Sequence, residues 1–458
     1  MLNISIADSF VGMELIEQYI ITLNEWIWGW PLITLLLGAG AYFTVKLKTL
    51  TLANLKLGIR YVFEKENHSH SGDISSFAAL CTALSATLGT GNIVGVAVSI
   101  TVGGPGVIFW LWVSSLLCLS IKYAEGVLAI KYRITNQYKQ IIGGPMRYIE
   151  VGLKSRLPAK MYALFGVFVA ILGIGTLAQS NSIVAAAGTF GMSSTIAITL
   201  LSAIVVAVTI GGLKRISQVA QQIVPIMTVI YIGAAILILL LKIDQIPQAF
   251  YLIFQGACSP QAILGCGAGV TVANVVHIGI SRGIYAHESG LGSSAIAVAT
   301  AKTDSSVKQG LISMVGALLS VVVCTMTGLV LLITNADTGF FSVTRSIDGN
   351  LLTSCAFVAG LGMGEFGKYI VSLSIIFFAF TTIIGWNFYG EKCIQYLLND
   401  KYVIPYKIVF VCCLISGAFL KIDTVFVIAD IVIGLMIIPN VLGIIGLRKE
   451  LTKESLIS

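Results

Sequence analysis

The residues with most chemical capacity stand in two apolar stretches that cannot accommodate them passively. One reads Ser85-Ala86-Thr87-Leu88-Gly89-Thr90-Gly91-Asn92-Ile93-Val94-Gly95, three glycines with Ser, Thr and Asn between hydrophobic flanks. The other runs from Gly279 to Ser293 and holds Gly283, Tyr285, Gly290 and Gly292, with Arg282 and Glu288. A helix unwound at such a place frees backbone N–H groups for an anion and carbonyls for a cation. Further polar groups lie in other apolar runs: Gln179-Ser180-Asn181-Ser182, and Phe380-Thr381-Thr382 followed by Trp386-Asn387. Thr382 and Trp386 are four apart and share a helix face. Each also has a plainer reading. Glycines serve tight helix packing, and a membrane Thr bonds its own i−4 carbonyl. Gln and Asn join helices, while Tyr285, Phe380 and Trp386 can be ordinary packing residues. The embedded charges Arg282, Glu288 and Asp430 read either as gating pairs or as buried structural bridges.

The elements that position these residues follow from composition. Of 458 residues, 57% are hydrophobic and 11% charged, against about 25% charged in soluble domains. At about 20 residues per crossing, this apolar content suffices for about a dozen transmembrane helices. Nine cysteines without a Cys-x-x-Cys pair signal neither disulfides nor zinc, and four histidines show no metal spacing. No His-Glu-x-x-His, Ser/Lys or paired-Asp arrangement points to an enzyme, and a channel would call for a symmetric pore motif. No Lys or Arg precedes Lys46, which argues against a secretory leader.

Eleven apolar segments are predicted as helices, because backbone cannot go unpaired in hydrocarbon. They run over 28–45, 77–102, 106–130, 161–187, 192–212, 223–241, 267–301, 310–334, 369–390, 403–420 and 425–447. With the N-terminus outside, all of the 28 Lys and Arg except Lys242, Arg282, Arg345, Lys368 and Lys421 fall inside. The acidic start (Asp8, Glu14, Glu17, Glu25) stays outside. This topology accounts for the net charge of +7 without nucleic acid. The stretch 46–66 is predicted along the inner interface, and Lys122 with Glu125 as a snorkelling pair at the inner end of the third span. The expected organisation is an extra N-terminal span and interfacial helix (1–76) and a first five-helix repeat (77–241). An extracellular connection (242–266), a second, inverted repeat (267–447) and a tail (448–458) follow. Gly-broken spans then lead both repeats, which is the sequence pointer to a transporter site.

The motifs also resemble a known family. Thr90-Gly91-Asn92-Ile93, Gly103-Gly104-Pro105-Gly106 with Phe109-Trp110, and Gly143-Gly144-Pro145-Met146 look like the alanine or glycine:cation symporters. So do Gln179-x-Asn181-Ser182, Arg282-Gly283, Glu288-x-Gly290-Leu291-Gly292-Ser293, Gly385-Trp386, Tyr389-Gly390-Glu391, Asp430 and Pro439-Asn440. The resemblance covers about 28–445 and implies a leucine-transporter-type 5+5 inverted repeat with one added helix, an all-α polytopic membrane protein. Ala286-His287-Glu288-Ser289 departs from the more frequent Ser-Asn-Glu-Ala of that family.

The resemblance implies a multi-pass transporter of the plasma (inner) membrane that imports a small neutral amino acid with sodium. No other cofactor and no obligate protein partner is evident. It further implies a sodium site made by backbone oxygens of Ser85 and Leu88 with hydroxyls of Thr381 and Thr382. A zwitterionic substrate needs a binder for each charge and a wall for its side chain. Amides near Gly89, Thr90, Gly91 and Asn92 are expected to take the carboxylate. Gln179 and carbonyls near Gly279 and Gly283 are expected to take the ammonium, and Tyr285, Phe380 and Trp386 to cap the site. A proton-coupled or exchange carrier with Glu288 or Asp430 titrating stays open, as does the choice among alanine, glycine, serine and glutamine.

Overall fold

The computed structural model describes residues 19, 22–48, 52–64, 71–136, 140–258, 271–338, 349–420 and 422–456. Asp8, Glu14, Glu17, Cys266, the expected start of the seventh span at 267–270, Arg345 and Lys421 lie outside the described residues.

Helix α1 (Trp30–Leu47) opens on Pro31, where the missing N–H costs nothing, and ends at Lys48 in left-handed backbone. The amphipathic α2 (Leu52–Val62) follows. Gly58 lets it lie against a later helix: a Cβ there would stand 2.9 Å from the Leu311 carbonyl oxygen. Ser75 caps α3 (Ser76–Thr87) by accepting a hydrogen bond from Ala78 N at 3.0 Å. The chain then breaks through Thr90–Asn92, a single tight turn, and resumes as α4 (Val94–Gly103). Next come α5 (Val107–Lys131), α6 (Arg156–Leu172), α7 (Leu177–Gly188), α8 (Ser194–Thr209) and α9 (Gly212–Leu241). A minimal antiparallel pair, Ile134–Thr135 with Ile141–Ile142, joins α5 to α6. After α10 (Ile246–Cys258) the second interrupted helix appears as α11 (Val272–His287) and α12 (Ser293–Val298). It is followed by α13 (Ser306–Thr338), α14 (Gly349–Leu361), α15 (Phe366–Leu398), α16 (Val403–Gly417), α17 (Ile422–Gly446) and α18 (Arg448–Leu456).

Among the described residues, seven helical segments are long and apolar enough to cross a membrane: Thr22–Leu47, Val107–Lys131, Arg156–Gly188, Gly212–Leu241, Ser306–Thr334, Phe366–Leu398 and Val427–Gly446. The shorter apolar helices α3, α4, α8 and α14 stand beside them. The first two are halves of one interrupted course. The pattern of unbroken apolar runs missed α10 and α14, both of which fall in stretches read as connections.

The interrupted helices occupy the interior, with α5 against α1, α11 and α13, and α15 against α3, α6, α7 and α9. This enclosure corrects one expectation. Lys122 and Glu125 are only 3% and 1% exposed, so they are interior charges and no snorkelling pair. Position along a span says how deep a residue sits, but neighbouring helices decide whether it meets water.

The entry to α3 is tied to the exit of α12. Ile74 pairs with Ala301, and Asp73 N donates to Thr300 O at 2.9 Å. Arg133 clamps the same junction by donating to Ala299 O, Ala301 O, Thr303 O and Ser71 O. Helix α18 docks beside it through Lys131, which donates to Glu450 and Glu454, both at 2.9 Å. Lys131 holds both carboxyls below the ordinary range, so the docking is complete above that range and is lost as pH falls through it. Lys131→Gln should therefore speed amide exchange across 448–456 a few-fold at neutral pH, the scale of exposed ion pairs. Unchanged exchange would contradict the tether.

Candidate functional site: two interrupted helices

The first break is built by its own sequence. Leu88 N still donates to Leu84 O at 2.7 Å, after which Gly89 turns extended and the ladder stops. Asn92 closes the gap by accepting from Gly89 N at 3.1 Å. Its Nδ2 donates to Ser320 Oγ at 2.6 Å, and Ser320 Oγ donates to Ala286 O at 2.6 Å at the end of α11. Thr327 Oγ1 reaches Asn92 O at 3.0 Å. Helix α13 thus ties the first break to the end of α11 through Ser320 and holds the first break again through Thr327. Neither was singled out in the sequence, because an isolated hydroxyl in an apolar helix gives no signal.

The oxygens released by this break converge on α15. Thr382 Oγ1 lies 3.1 Å from Ser85 O, 3.3 Å from Leu88 O and 2.9 Å from Phe378 O. Thr381 Oγ1 donates to the same Phe378 carbonyl at 3.0 Å. The plain reading of these threonines, a bond to a carbonyl of their own helix, is therefore observed, and Thr382 meets two carbonyls of α3 as well. A hydroxyl carries one proton, so Thr382 cannot satisfy Ser85 O and Leu88 O together, while Phe378 O also has Thr381. The surplus is a cluster of negative oxygen dipoles, fully buried. Phe378 is the member that sequence reading missed, since it contributes only backbone. No group of three or more His, Cys, Asp or Glu that could hold a metal stands among the described residues.

Gly89 sits between this cluster and Gln179. A Cβ there would come within 2.8 Å of Thr382 Oγ1 and 3.2 Å of Gln179 Nε2. Gln179 Oε1 accepts from Thr90 N at 3.3 Å, while Thr90 Oγ1 is buried without a partner. A Cβ on Gly91 would meet the Tyr285 ring at 2.7 Å. The structure therefore brings Ser85, Leu88, Gly89, Thr90, Gly91, Asn92, Gln179, Tyr285, Thr381 and Thr382 to one place. Trp386, one turn beyond Thr382, is wholly buried and stacks edge-on with Tyr389 at 5.5 Å. Phe380 packs in the main apolar core.

The second break lies five residues beyond Gly283. Helix α11 runs through Gly279 and Gly283 to His287, and Glu288, Gly290 and Gly292 then take left-handed backbone. Gly279 and Gly283 are contact points with α5: their absent side chains leave room for Trp110 and Ser114. Their carbonyls do not belong to the unwound segment, which corrects the expectation that placed the ammonium there. The free N–H groups of this break are taken by a protein carboxylate. Glu125 Oε1 accepts from Gly290 N at 2.9 Å, Gly292 N at 3.0 Å and Asn440 Nδ2 at 3.0 Å. Tyr148 donates to Asn440 Oδ1. Lys122 Nζ reaches Glu288 O at 3.3 Å and stands 3.8 Å from Glu125. Glu288 itself accepts from Ser293 Oγ at 2.5 Å. The pairing left open by the sequence is Arg282 with Asp430, at 3.3 Å.

Comparison with known proteins places the chain in a family. Residues 13–455 match the sodium:alanine symporter family. The chain belongs to that family. It is 41% identical to the sodium/alanine symporter AgcS of Methanococcus maripaludis, with 95% of each chain covered. It is 34% identical to the probable sodium/glutamine symporter GlnT of Bacillus subtilis, over 95% of this chain and 89% of that one. The fold is shared with MhsT, solved in complex with L-phenylalanine, at a TM-score of 0.60 and 14% identity, covering 85% of this chain and 99% of that chain. This sodium:alanine symporter family member is a multi-pass membrane transporter and no enzyme.

Glu125 makes a prediction. Removing one member of a buried charged network costs about 3–5 kcal/mol, so Glu125→Ala should lower the thermal unfolding midpoint of the solubilised protein strongly. Glu125→Gln keeps an acceptor for the two glycine amides and should recover most of it. An unchanged midpoint for Glu125→Ala would contradict the anchoring role.

Proposed function

We propose that this chain imports a small neutral amino acid, alanine or glycine first, by symport with sodium across the plasma (inner) membrane. The observation that carries the reading is the oxygen surplus at Thr382. Carbonyls of Ser85, Leu88 and Phe378 with the hydroxyls of Thr381 and Thr382 offer only neutral oxygens. Such oxygens suit a hard monovalent cation, and carbonyls released by an unwound helix are a frequent sodium site in transporters. We take the eleven-span, N-out and C-in arrangement as the frame, with repeats at 77–241 and 267–447 around the added N-terminal helix. The scarcity of Lys and Arg at one end supports it.

The substrate would bind beside the sodium at the first break. Gly89 N is committed to Asn92, but Thr90 N is held only by the neutral amide of Gln179 at 3.3 Å. A carboxylate is the stronger acceptor and would displace Gln179 Oε1, which is then free to accept from the ammonium. The handover keeps both Thr90 N and Gln179 Oε1 paired. Tyr285 and Trp386 would close the site against long side chains, with Phe380 behind them. Each sodium carried inward gains about 2.3 kcal/mol per 100 mV of membrane potential, besides its concentration gradient.

Labelled alanine entering proteoliposomes under an inward sodium gradient, and failing to do so when choline replaces sodium, is the expected result. Equal uptake in choline would reject sodium coupling. Trp386→Ala should admit larger competitors such as glutamine, and an unaltered competition panel would remove Trp386 from the cap. The buried carboxyl of Glu288 favours one second reading, proton coupling on the same scaffold. Uptake that follows pH at fixed membrane potential and ignores sodium would select it.

A further inference from the structure

A break in a buried helix leaves carbonyls in want of a cation and amides in want of an anion. At the second break both wants are met from within one helix. Lys122 Nζ donates to the Glu288 carbonyl at 3.3 Å. Glu125 Oε1, three residues on, accepts from Gly290 N and Gly292 N. The two side chains share a face of α5, are buried, and stand 3.8 Å apart between Lys122 Nζ and Glu125 Oε2. Glu125 Oε2 accepts no hydrogen bond among the described residues, so this ammonium is its charge partner. The carboxyl of Glu288, which accepts from Ser293 Oγ at 2.5 Å, adds a second acidic group to the cluster.

We propose that Lys122 holds the place of a second sodium ion and thereby fixes the coupling at one sodium per amino acid. The proposal rests on the sodium reading of the first break and extends it to the stoichiometry. Both breaks then follow one rule, in which carbonyl oxygens take a monovalent cation and amides take a carboxylate. The first break draws both from solution, and the second draws both from α5. An ammonium is a monovalent cation with three donors, so it serves a carbonyl and a carboxylate together, but it cannot leave. A sodium ion within the same few ångströms would meet like charge where water screens it little. Lys122 therefore shuts the site.

What the ammonium fills is otherwise a donor set for sodium. Without it, the Glu288 carbonyl and Glu125 Oε2 face the vacated space, and hard oxygens of this kind suit a hard cation. A cavity of about 10 Å³ adjoins Lys122, with Thr87, Ser294 and Gln309 also on its wall, and has room for about one water. Gln309 Oε1 and Nε2 are both buried without a partner among the described residues, which gives an entering cation one more neutral oxygen. A structural salt bridge accounts for the contact of Lys122 with Glu125, but cutting it would create no ion site. That difference is measurable.

The test is the number of sodium ions bound per full-length chain in lipid nanodiscs, by saturation with radioactive sodium in the presence of alanine. The unaltered chain should bind one. Lys122→Gln keeps a donor for the Glu288 carbonyl but removes the charge, and should bind two, as should Lys122→Ala. Adding Glu125→Gln to Lys122→Gln takes away the carboxylate ligand and should return the number to one. A buried carboxylate left unpaired destabilises the fold. The unfolding midpoint of Lys122→Gln should therefore climb with sodium more steeply than that of the unaltered chain, and N-methylglucamine should not reproduce the climb. One sodium on both neutral variants with no steeper climb, or two on the unaltered chain, overturns the inference and leaves the sodium symport reading standing. No sodium on the unaltered chain overturns both.

Discussion

A single hydroxyl proton facing two carbonyl oxygens released by a helix break is the constraint on which the rest of the structure turns. Thr382 Oγ1 stands within 3.3 Å of Ser85 O and Leu88 O, and its one proton cannot satisfy both, whereas Phe378 O also accepts from Thr381 Oγ1. The crowding exists because α3 stops at the Leu88–Gly89 step and because Gly89 has no side chain to keep α15 away. It persists because Asn92 staples the break to Ser320, and through Ser320 to the end of α11. Buried oxygen dipoles facing one another repel, and a cation between them turns that repulsion into binding.

The two breaks resolve their unpaired backbone in opposite ways. The first leaves carbonyls clustered and one amide lightly held by Gln179, so it has capacity for a cation and for a carboxylate. The second has its amides filled by Glu125 and its entry carbonyl, that of Glu288, met by Lys122. One break therefore keeps backbone groups in surplus, and the other is closed by the protein's own charges.

Much of this was legible as a conflict between residue type and surroundings. Glycines with Thr and Asn inside an apolar run marked the first break correctly, and the family resemblance placed Thr381 and Thr382 opposite it. The same signal misled in α11, because glycine serves both helix unwinding and close packing. Gly279 and Gly283 pack on α5, whereas Gly290 and Gly292 unwind. Lys122 and Glu125 looked interfacial because hydropathy along one segment is blind to the helices around it. Phe378, Ser320 and Thr327 were out of reach: one acts through its carbonyl, and the others are hydroxyls that any membrane helix carries.

The most direct measurement is equilibrium binding of radioactive sodium to the purified chain, compared between the unaltered protein and Thr382→Val. Valine keeps the branched shape and removes the one oxygen that joins the two helices at the cluster. The account predicts saturable sodium binding that weakens tenfold or more in the variant, about 1.4 kcal/mol or greater, with an unfolding midpoint close to that of the unaltered chain. Equal sodium affinity in the two proteins would contradict it.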